Sequence, residues 1–269
     1  MRHALTIAGS DSSGGAGIQA DIKTFAAHGI FGMSVITAVT AQNTRGVTAV
    51  EDISPETVAA QIKAIYDDIR VDAVKIGMVS AIPTIEAIYG ELVKYGEKRI
   101  VLDPVMISKS GSHLLSPDAV TALSRLLLPQ SLVVTPNIPE AETLTGMRIA
   151  NMHDMEEAAR ALHGMGPAYV LIKGGHSTGD AEDLLFDGLK MSVLPQRRIC
   201  TANTHGTGCT LSSAIAANIA AGADVGLAVR KAKEYITMAI THSFSIGAGP
   251  GPTDHFFALY EKAGLKREI

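Results

Sequence analysis

The chain has no tryptophan, and aromatic side chains make up only 4% of its 269 residues. Cysteine is nearly absent too: Cys200 and Cys209 are the two present. They are too few and too close in sequence for a disulfide framework, so a reducing, cytoplasmic compartment is expected. No basic run occurs and the formal net charge is −4. A nucleic-acid surface or a polybasic membrane patch is therefore not expected. Met1-Arg2-His3 passes directly into a short apolar run and does not read as a signal peptide. From Ile199 to Ala223 there is no Asp, Glu, Lys or Arg, but Asn203, His205, Ser212, Ser213 and Asn218 interrupt the stretch. That pattern predicts a buried helix and not a membrane span.

Alanine, valine, isoleucine and glycine dominate what is there, as buried parallel strands with flanking helices require. Short apolar runs predict strands at Ala4 to Ala8, Ser34 to Ala41, Ala73 to Ile76, Ile100 to Leu102, Leu132 to Val134 and Tyr169 to Ile172. Helical segments separate them. Ser54-Pro55-Glu56 and Ser116-Pro117-Asp118 each read as an N-cap, a proline at N1 and a first-turn acid. Asp224 is expected to cap a last long helix running towards Ser243. Val47 to Ile53 reads as an edge strand. Leu184-Leu185-Phe186 and Met191-Ser192-Val193 read as a hairpin turned by Asp187-Gly188. The alternation predicts an α/β fold with a mostly parallel central sheet covered on both faces. Without repeats or a long linker, residues 1–269 read as a single domain.

Ligands of open parallel sheets bind beyond the carboxyl ends of the strands. There the sequence places, in order, the glycine-rich run Gly9 to Gly17, then Gln42-Asn43, Gly77-Met78, Asp103-Pro104, Pro136-Asn137 with Glu140, and Lys173-Gly174-Gly175-His176. Each has a plainer reading. Gly14-Gly15-Ala16-Gly17 suits an ordinary strand-to-helix turn and lacks the spacing of a dinucleotide fingerprint. Asp103 before proline suits a turn or a cap. Asn137 and Glu140 suit an N-cap with its first-turn acid. Lys173 beside two glycines suits a phosphate. Cys200 is expected to end a strand as inert packing. His28, His153 and His163 fall on helices as surface or packing residues, and no zinc spacing is present.

The most specific segment is Thr204-His205-Gly206-Thr207-Gly208-Cys209-Thr210, which leads straight into the Ala-rich stretch Leu211 to Ile219. Glycine admits close backbone approach, and the first helical N–H groups lack intrahelical partners and carry partial positive charge. Such a cradle takes phosphate. Together with Lys173 and Asn137-x-x-Glu140, it suggests a nucleoside triphosphate with Mg²⁺, which needs few protein carboxylates. Neither a P-loop nor the protein-kinase set of motifs is present. A thiol at a helix N-terminus is expected to ionise more readily than a free one, which makes Cys209 a candidate base.

Asp11 to Asp21, Val39 to Thr44, Val74 to Met78, Leu102 to Met106, Thr135 to Glu142, Lys173 to His176 and Thr204 to Thr210 occur in this order. Together they resemble the hydroxymethylpyrimidine/phosphomethylpyrimidine kinases of thiamine biosynthesis, in the ribokinase superfamily, over nearly the whole chain. The resemblance implies a ribokinase-like three-layer α/β/α sandwich, a homodimer, and ATP with Mg²⁺. It implies two phosphorylations, of 4-amino-5-hydroxymethyl-2-methylpyrimidine and then of its monophosphate. By position, Gln42 would hydrogen-bond the pyrimidine, while Gly9, Asp21, Thr40, Met78 and Val105 would line the pocket. Gly206, Thr207, Gly208 and Cys209 would form the catalytic loop. Lys173, Thr204, Asp103 and Asn137 would serve ATP and its phosphates, and Glu140 with Asn137 the Mg²⁺, in part through water. Many superfamily kinases have aspartate where this chain has Cys209. A pyridoxal/pyridoxine kinase, alone or as a second activity, is the alternative, and a non-catalytic pyrimidine sensor a third reading. Near the C-terminus, Pro250 stands where the family often has histidine, so Gly249 to Phe256 is expected only to close the fold.

Overall fold

A computed structural model describes residues 1–106, 115–176 and 180–265. Nine strands form one sheet among these residues. They are β1 (His3–Asp11), β2 (Phe31–Asn43), β3 (Gly46–Asp52), β4 (Ala73–Ile76), β5 (Ile100–Leu102), β6 (Val133–Val134), β7 (Tyr169–Ile172), β8 (Asp183–Phe186) and β9 (Met191–Leu194). The order is β3-β2-β1-β4-β5-β6-β7-β8-β9. Strands β2, β1, β4, β5, β6 and β7 are mutually parallel. The edges, β3 on β2 and the hairpin β8-β9 on β7, are antiparallel.

Side-chain alternation sends successive residues to opposite faces of the sheet. On one face Leu5, Ile7, Val74, Ile76, Ile100 and Leu102 pack against α2 (Pro55–Tyr66), α3 (Ile82–Lys94), α4 (Pro117–Leu126) and α6 (Met152–His163). On the other, Ala4, Ala73, Val101, Val133 and Leu171 meet α1 (Gly17–Ala27), α7 (Thr207–Ala220) and α8 (Val225–Thr241). The expected three-layer α/β/α arrangement is therefore present. Small residues on the second face let α7 lie close to the sheet, and every residue of α7 from Thr210 onward is buried. No helix of the described residues is long and apolar enough to cross a membrane.

The predicted caps form. The Ser54 and Ser116 hydroxyls accept from Thr57 N–H and Ala119 N–H, and Asp224 accepts from Leu227 N–H. Two boundaries differ from the sequence reading. Strand β2 runs on to Asn43 because β3 pairs back onto it, Gln42 opposite Val47, so Gln42 lies within a strand. Helix α8 is the last long helix, as expected, and a short α9 (Phe257–Lys262) follows it. Cys200 ends no strand: β9 stops at Leu194, before Pro195, and Cys200 is exposed. Proline cannot donate to a ladder, and the polar Gln196-Arg197-Arg198 that follows has no apolar face to bury. Both cysteines are free. His28 bonds the carbonyl of Thr24 and packs on Tyr235, and His163 packs on Phe186, in keeping with packing roles.

Candidate active site

The carboxyl ends of β1, β2, β4, β5, β6 and β7 open into one cavity of about 730 Å³. It lies where the chain order reverses, β1 being flanked by β2 on one side and β4 on the other. In doubly wound sheets this is where ligands bind. Gly9, Thr40, Gln42, Met78, Val105, Asp103, Asn137, Glu140, Lys173, Thr204, Gly206, Thr207, Gly208 and Cys209 all line it.

Asp21 does not, contrary to expectation. It is completely buried behind the wall on α1. The Lys75 ammonium donates to both its oxygens, at 3.0 and 2.8 Å, and the Thr6 and Ser213 hydroxyls donate to them at 2.6 Å each. Lys75 points from β4 to the α1–α7 face, where apolar neighbours alone would leave its charge unsolvated. Asp21 supplies the counter-charge that such burial demands. Burial works against the Lys75 charge, but Asp21, Cys209 and Asp103 together outweigh it and raise the ammonium above its usual range. The pair ties β4 to α1, and Ser213 ties in α7. A lysine inside the apolar run Ala73 to Ile76 was the sequence signal for a buried partner.

At one end of the cavity, charges gather. Lys173 donates to Asp103 at 2.8 Å and lies 3.9 Å from Glu140. Asp103 also accepts from the Thr135 and Ser212 hydroxyls, each at 3.2 Å. Burial opposes ionisation of Asp103, yet Lys173 and Lys75 hold it below the ordinary carboxylate range. Glu140 behaves oppositely. Burial lifts it to about 7, Lys173 only partly counters this, and Asp103 adds repulsion. Asn137 and Glu140 form a complete capping box for α5 (Ile138–Thr145), with N–H···O distances of 2.7 and 2.9 Å. The plainer reading of this pair is thus correct, and the pair faces the cavity as well.

The loop from Thr204 to Gly208 closes this end. Gly206 has φ +77°, which suits glycine, and a Cβ there would meet the Gly15 carbonyl oxygen at 1.8 Å. The two glycine-rich loops therefore interlock backbone to backbone. Gly251 contributes from the C-terminal segment: its carbonyl accepts from His205 N–H at 3.0 Å, and its N–H donates to Asn203 at 2.9 Å. That segment braces the loop, which goes beyond closing the fold.

Cys209 occupies the first turn of α7, as expected, but its acidity is the reverse of the expectation. Burial pushes the thiol up to about 11. Lys75 lowers it, but Asp21 and Asp103 raise it again. A helix N-terminus acidifies a thiol only when burial and neighbouring carboxylates do not oppose it.

The other end of the cavity is neutral apart from Asp11. Gln42, Thr40, Gly9, Met78 and Val105 form it. Sequence reasoning missed His205 here. Its Nε2 lies 2.8 Å from Asp11 and 3.4 Å from Gln42 Nε2. A Cβ on Gly15 would lie 2.2 Å from the His205 ring, so glycine makes room for the imidazole. The signal was present only as a histidine inside the loop motif. A further arm of the cavity, lined by Asp183, Gln196, Lys233, Ile236, Thr237 and Ile240, also went unread. It comes from β8, the segment after β9, and α8, which are far apart in sequence.

Among the described residues, no group of three or more His, Cys, Asp or Glu side chains could hold a metal ion alone. The donors present fit a Mg²⁺ that keeps most of its water and its phosphate ligands. Glu140 Oε2 already accepts from Asn137 N–H, which favours contact through water.

The profile of the phosphomethylpyrimidine kinase family matches residues 11–254. A hydroxymethylpyrimidine/phosphomethylpyrimidine kinase of Rhizobium meliloti is 56% identical over 257 residues, covering 94% of this chain and 96% of its own length. The crystal structure of a phosphomethylpyrimidine kinase from Clostridium difficile superposes with a TM-score of 0.81 at 50% identity, over 89% of this chain and all of that one. An ADP complex of Bacillus subtilis pyridoxal kinase superposes with a TM-score of 0.90 at 42% identity, over 96% of this chain and 99% of that one. With the family profile and the relatives matching over nearly the whole length, the chain belongs to the phosphomethylpyrimidine kinase family.

Proposed function

We propose that this kinase transfers the γ-phosphoryl group of ATP to 4-amino-5-hydroxymethyl-2-methylpyrimidine, and then a second one to the monophosphate, in thiamine biosynthesis. The observation that carries this reading is one cavity with a carboxamide at one end and an anion loop with Lys173 at the other. A carboxamide offers a donor and an acceptor side by side, which matches the amino and ring-nitrogen edge of a 4-aminopyrimidine.

Phosphoryl transfer is chiefly a matter of positioning and charge stabilisation. Gln42, Thr40, Gly9, Met78 and Val105 orient the heterocycle, with the acceptor oxygen towards α7. The N–H groups of Gly206 to Cys209 cradle the phosphoryl group in transfer, and Lys173 offsets its charge. Thr204 and Asn137 flank the phosphate path, and Asp103 holds Lys173 in place at 2.8 Å. Glu140 and Asn137 would hold Mg²⁺ through water, and the ion would supply charge neutralisation to the phosphates. Cys209 takes the acceptor proton in its ionised minority form. The arm lined by Ile236, Ile240 and Thr237 receives the nucleotide base.

We read residues 1–269 as one kinase domain, a reading supported by the single sheet that all described strands join. We also expect a homodimer; sedimentation velocity checks it. Val39 on β2, 47% exposed, offers apolar surface to a second copy.

A pyridoxal kinase activity is the second reading, favoured by the superposition on the Bacillus subtilis enzyme. A substrate panel with ATP-Mg²⁺ separates the two. Both pyrimidines are expected to turn over, with pyridoxal slower. Efficient phosphorylation of pyridoxal with neither pyrimidine used would overturn the proposal.

A further inference from the structure

The ends of a carboxamide are nearly alike in size, so its partners decide which way it points. Gln42 lies between two such partners. One is His205, whose Nε2 is 3.4 Å from Gln42 Nε2. The other is Thr40, whose Oγ1 is 3.2 Å from Gln42 Oε1.

Donor and acceptor roles around this group can be traced outward. Asp11 accepts from Ser13 N–H at 2.8 Å, the Ser13 hydroxyl at 2.7 Å and Ala16 N–H at 2.8 Å. Burial opposes its charge, but His205, Ser13 and Ala16 hold its carboxyl down at about 2. It is therefore a carboxylate, able only to accept. His205 Nε2, 2.8 Å from Asp11 Oδ2, must carry the proton. On the other side the Thr40 hydroxyl has one proton and a backbone acceptor for it, Ser10 O at 3.0 Å. Its lone pairs are left for Gln42. With Nε2 facing His205, two N–H donors oppose each other. Half a turn of the carboxamide removes the conflict: Oε1 then shares the single His205 Nε2–H with Asp11 in a three-centre bond, and Nε2 donates to Thr40.

We infer that Asp11 and His205 are positioning residues that fix the Gln42 carboxamide with its oxygen towards His205 and its nitrogen towards Thr40. The carboxamide then shows a ligand an acceptor on the His205 side and a donor on the Thr40 side. A 4-aminopyrimidine edge, amino donor beside ring-nitrogen acceptor, matches that order. A 4-oxo edge, carbonyl acceptor beside ring N–H, reverses it and forces the carboxamide against His205. The pocket thus selects 4-amino over 4-oxo pyrimidines. The selectivity, though not the orientation, rests on the pyrimidine reading above.

Two measurements test this. First, kcat/KM is determined for the 4-amino substrate and its 4-oxo analogue with wild type, His205→Leu and Thr40→Val. Leaving a buried donor unmet costs enough to change binding by about tenfold to a hundredfold. Wild type is expected to prefer the 4-amino substrate by at least about tenfold. Each variant should lose most of that preference, largely through KM for the 4-oxo analogue. A wild-type enzyme that takes both edges equally, or a preference unchanged in both variants, overturns the selectivity. Second, NMR of the ligand-free wild type reads the orientation without any substrate. Strong nuclear Overhauser contacts from the Gln42 amide protons to Thr40, with weak ones to the His205 ring, are expected. The reverse intensities, or an unprotonated His205 Nε2, overturn the orientation. If wild type phosphorylates neither pyrimidine, the functional reading fails while the NMR result still decides the orientation.

Discussion

At one end of the cavity Lys173 lies within 4 Å of both Asp103 and Glu140. At the other, Gly9, Thr40, Gln42, Met78 and Val105 carry no formal charge. The first end stores electrostatic energy in a water-poor setting, where each interaction is strong and each loss is costly. The second works by direction: it decides which molecule enters and how it lies, through a few hydrogen bonds. Changes at the ionic end should therefore fall on kcat, and changes at the neutral end on binding of the acceptor.

The sharpest way to break this contrast is Lys173→Ala. It removes a cation facing the phosphoryl group and leaves Asp103 buried without its main partner. A fall in kcat of about 10³-fold is expected, the upper range for losing one stabilising donor. Steady-state kinetics with KM for the pyrimidine within a few-fold of wild type would confirm it; a loss confined to KM would not fit.

Next in size is Cys209→Ala, for which kcat should fall by on the order of 10²-fold with little change in pyrimidine affinity. A thiol at about 11 is ionised in roughly one molecule in ten thousand at pH 7. The wild-type rate should accordingly climb between pH 7 and 9 while that of Cys209→Ala stays flat. Near-normal turnover in the variant would leave the thiol only a positioning role.

Glu140 also carries a pH-dependent effect on stability. Its folded-state pKa of about 7 lies above the ordinary 4.5. The proton is held more tightly in the folded chain, so this stabilisation is complete below about 4.5 and is lost as pH rises through 7. Glu140→Gln, which mimics the protonated form, should match wild type near pH 4. It should gain on wild type by about 3 kcal/mol near pH 8. Denaturant titrations at the two pH values check this, and a constant difference would show that Glu140 is not held neutral.

Much of this was legible in the sequence, and the reasons differ by region. Strands β4, β5 and β7 were found to the residue because buried parallel strands are continuous apolar runs between turn signals. The ionic end was readable because its residues follow strand ends directly, as Asp103 and Lys173 do. The reach of β2 to Asn43 was not, because the ladder with β3 is set by pairing across strands rather than by apolar content. Asp21 was placed on the pocket wall because nothing in its neighbourhood names Lys75, 54 positions away, as its partner. The acidity of Cys209 was misjudged for a related reason. Helix position is local and visible, while burial beside Asp21 and Asp103 is tertiary. His205 needed both failures mended, since its meaning depends on Asp11, 194 positions away.

The neutral end carries the claim that sets this kinase apart, that a carboxamide selects the acceptor. Titration calorimetry of the hydroxymethylpyrimidine into Gln42→Met tests it most directly, with a non-hydrolysable ATP analogue titrated alongside. Affinity for the pyrimidine should weaken by about tenfold to a hundredfold while that for the analogue stays within about twofold of wild type. Equal pyrimidine affinity in wild type and variant would contradict it.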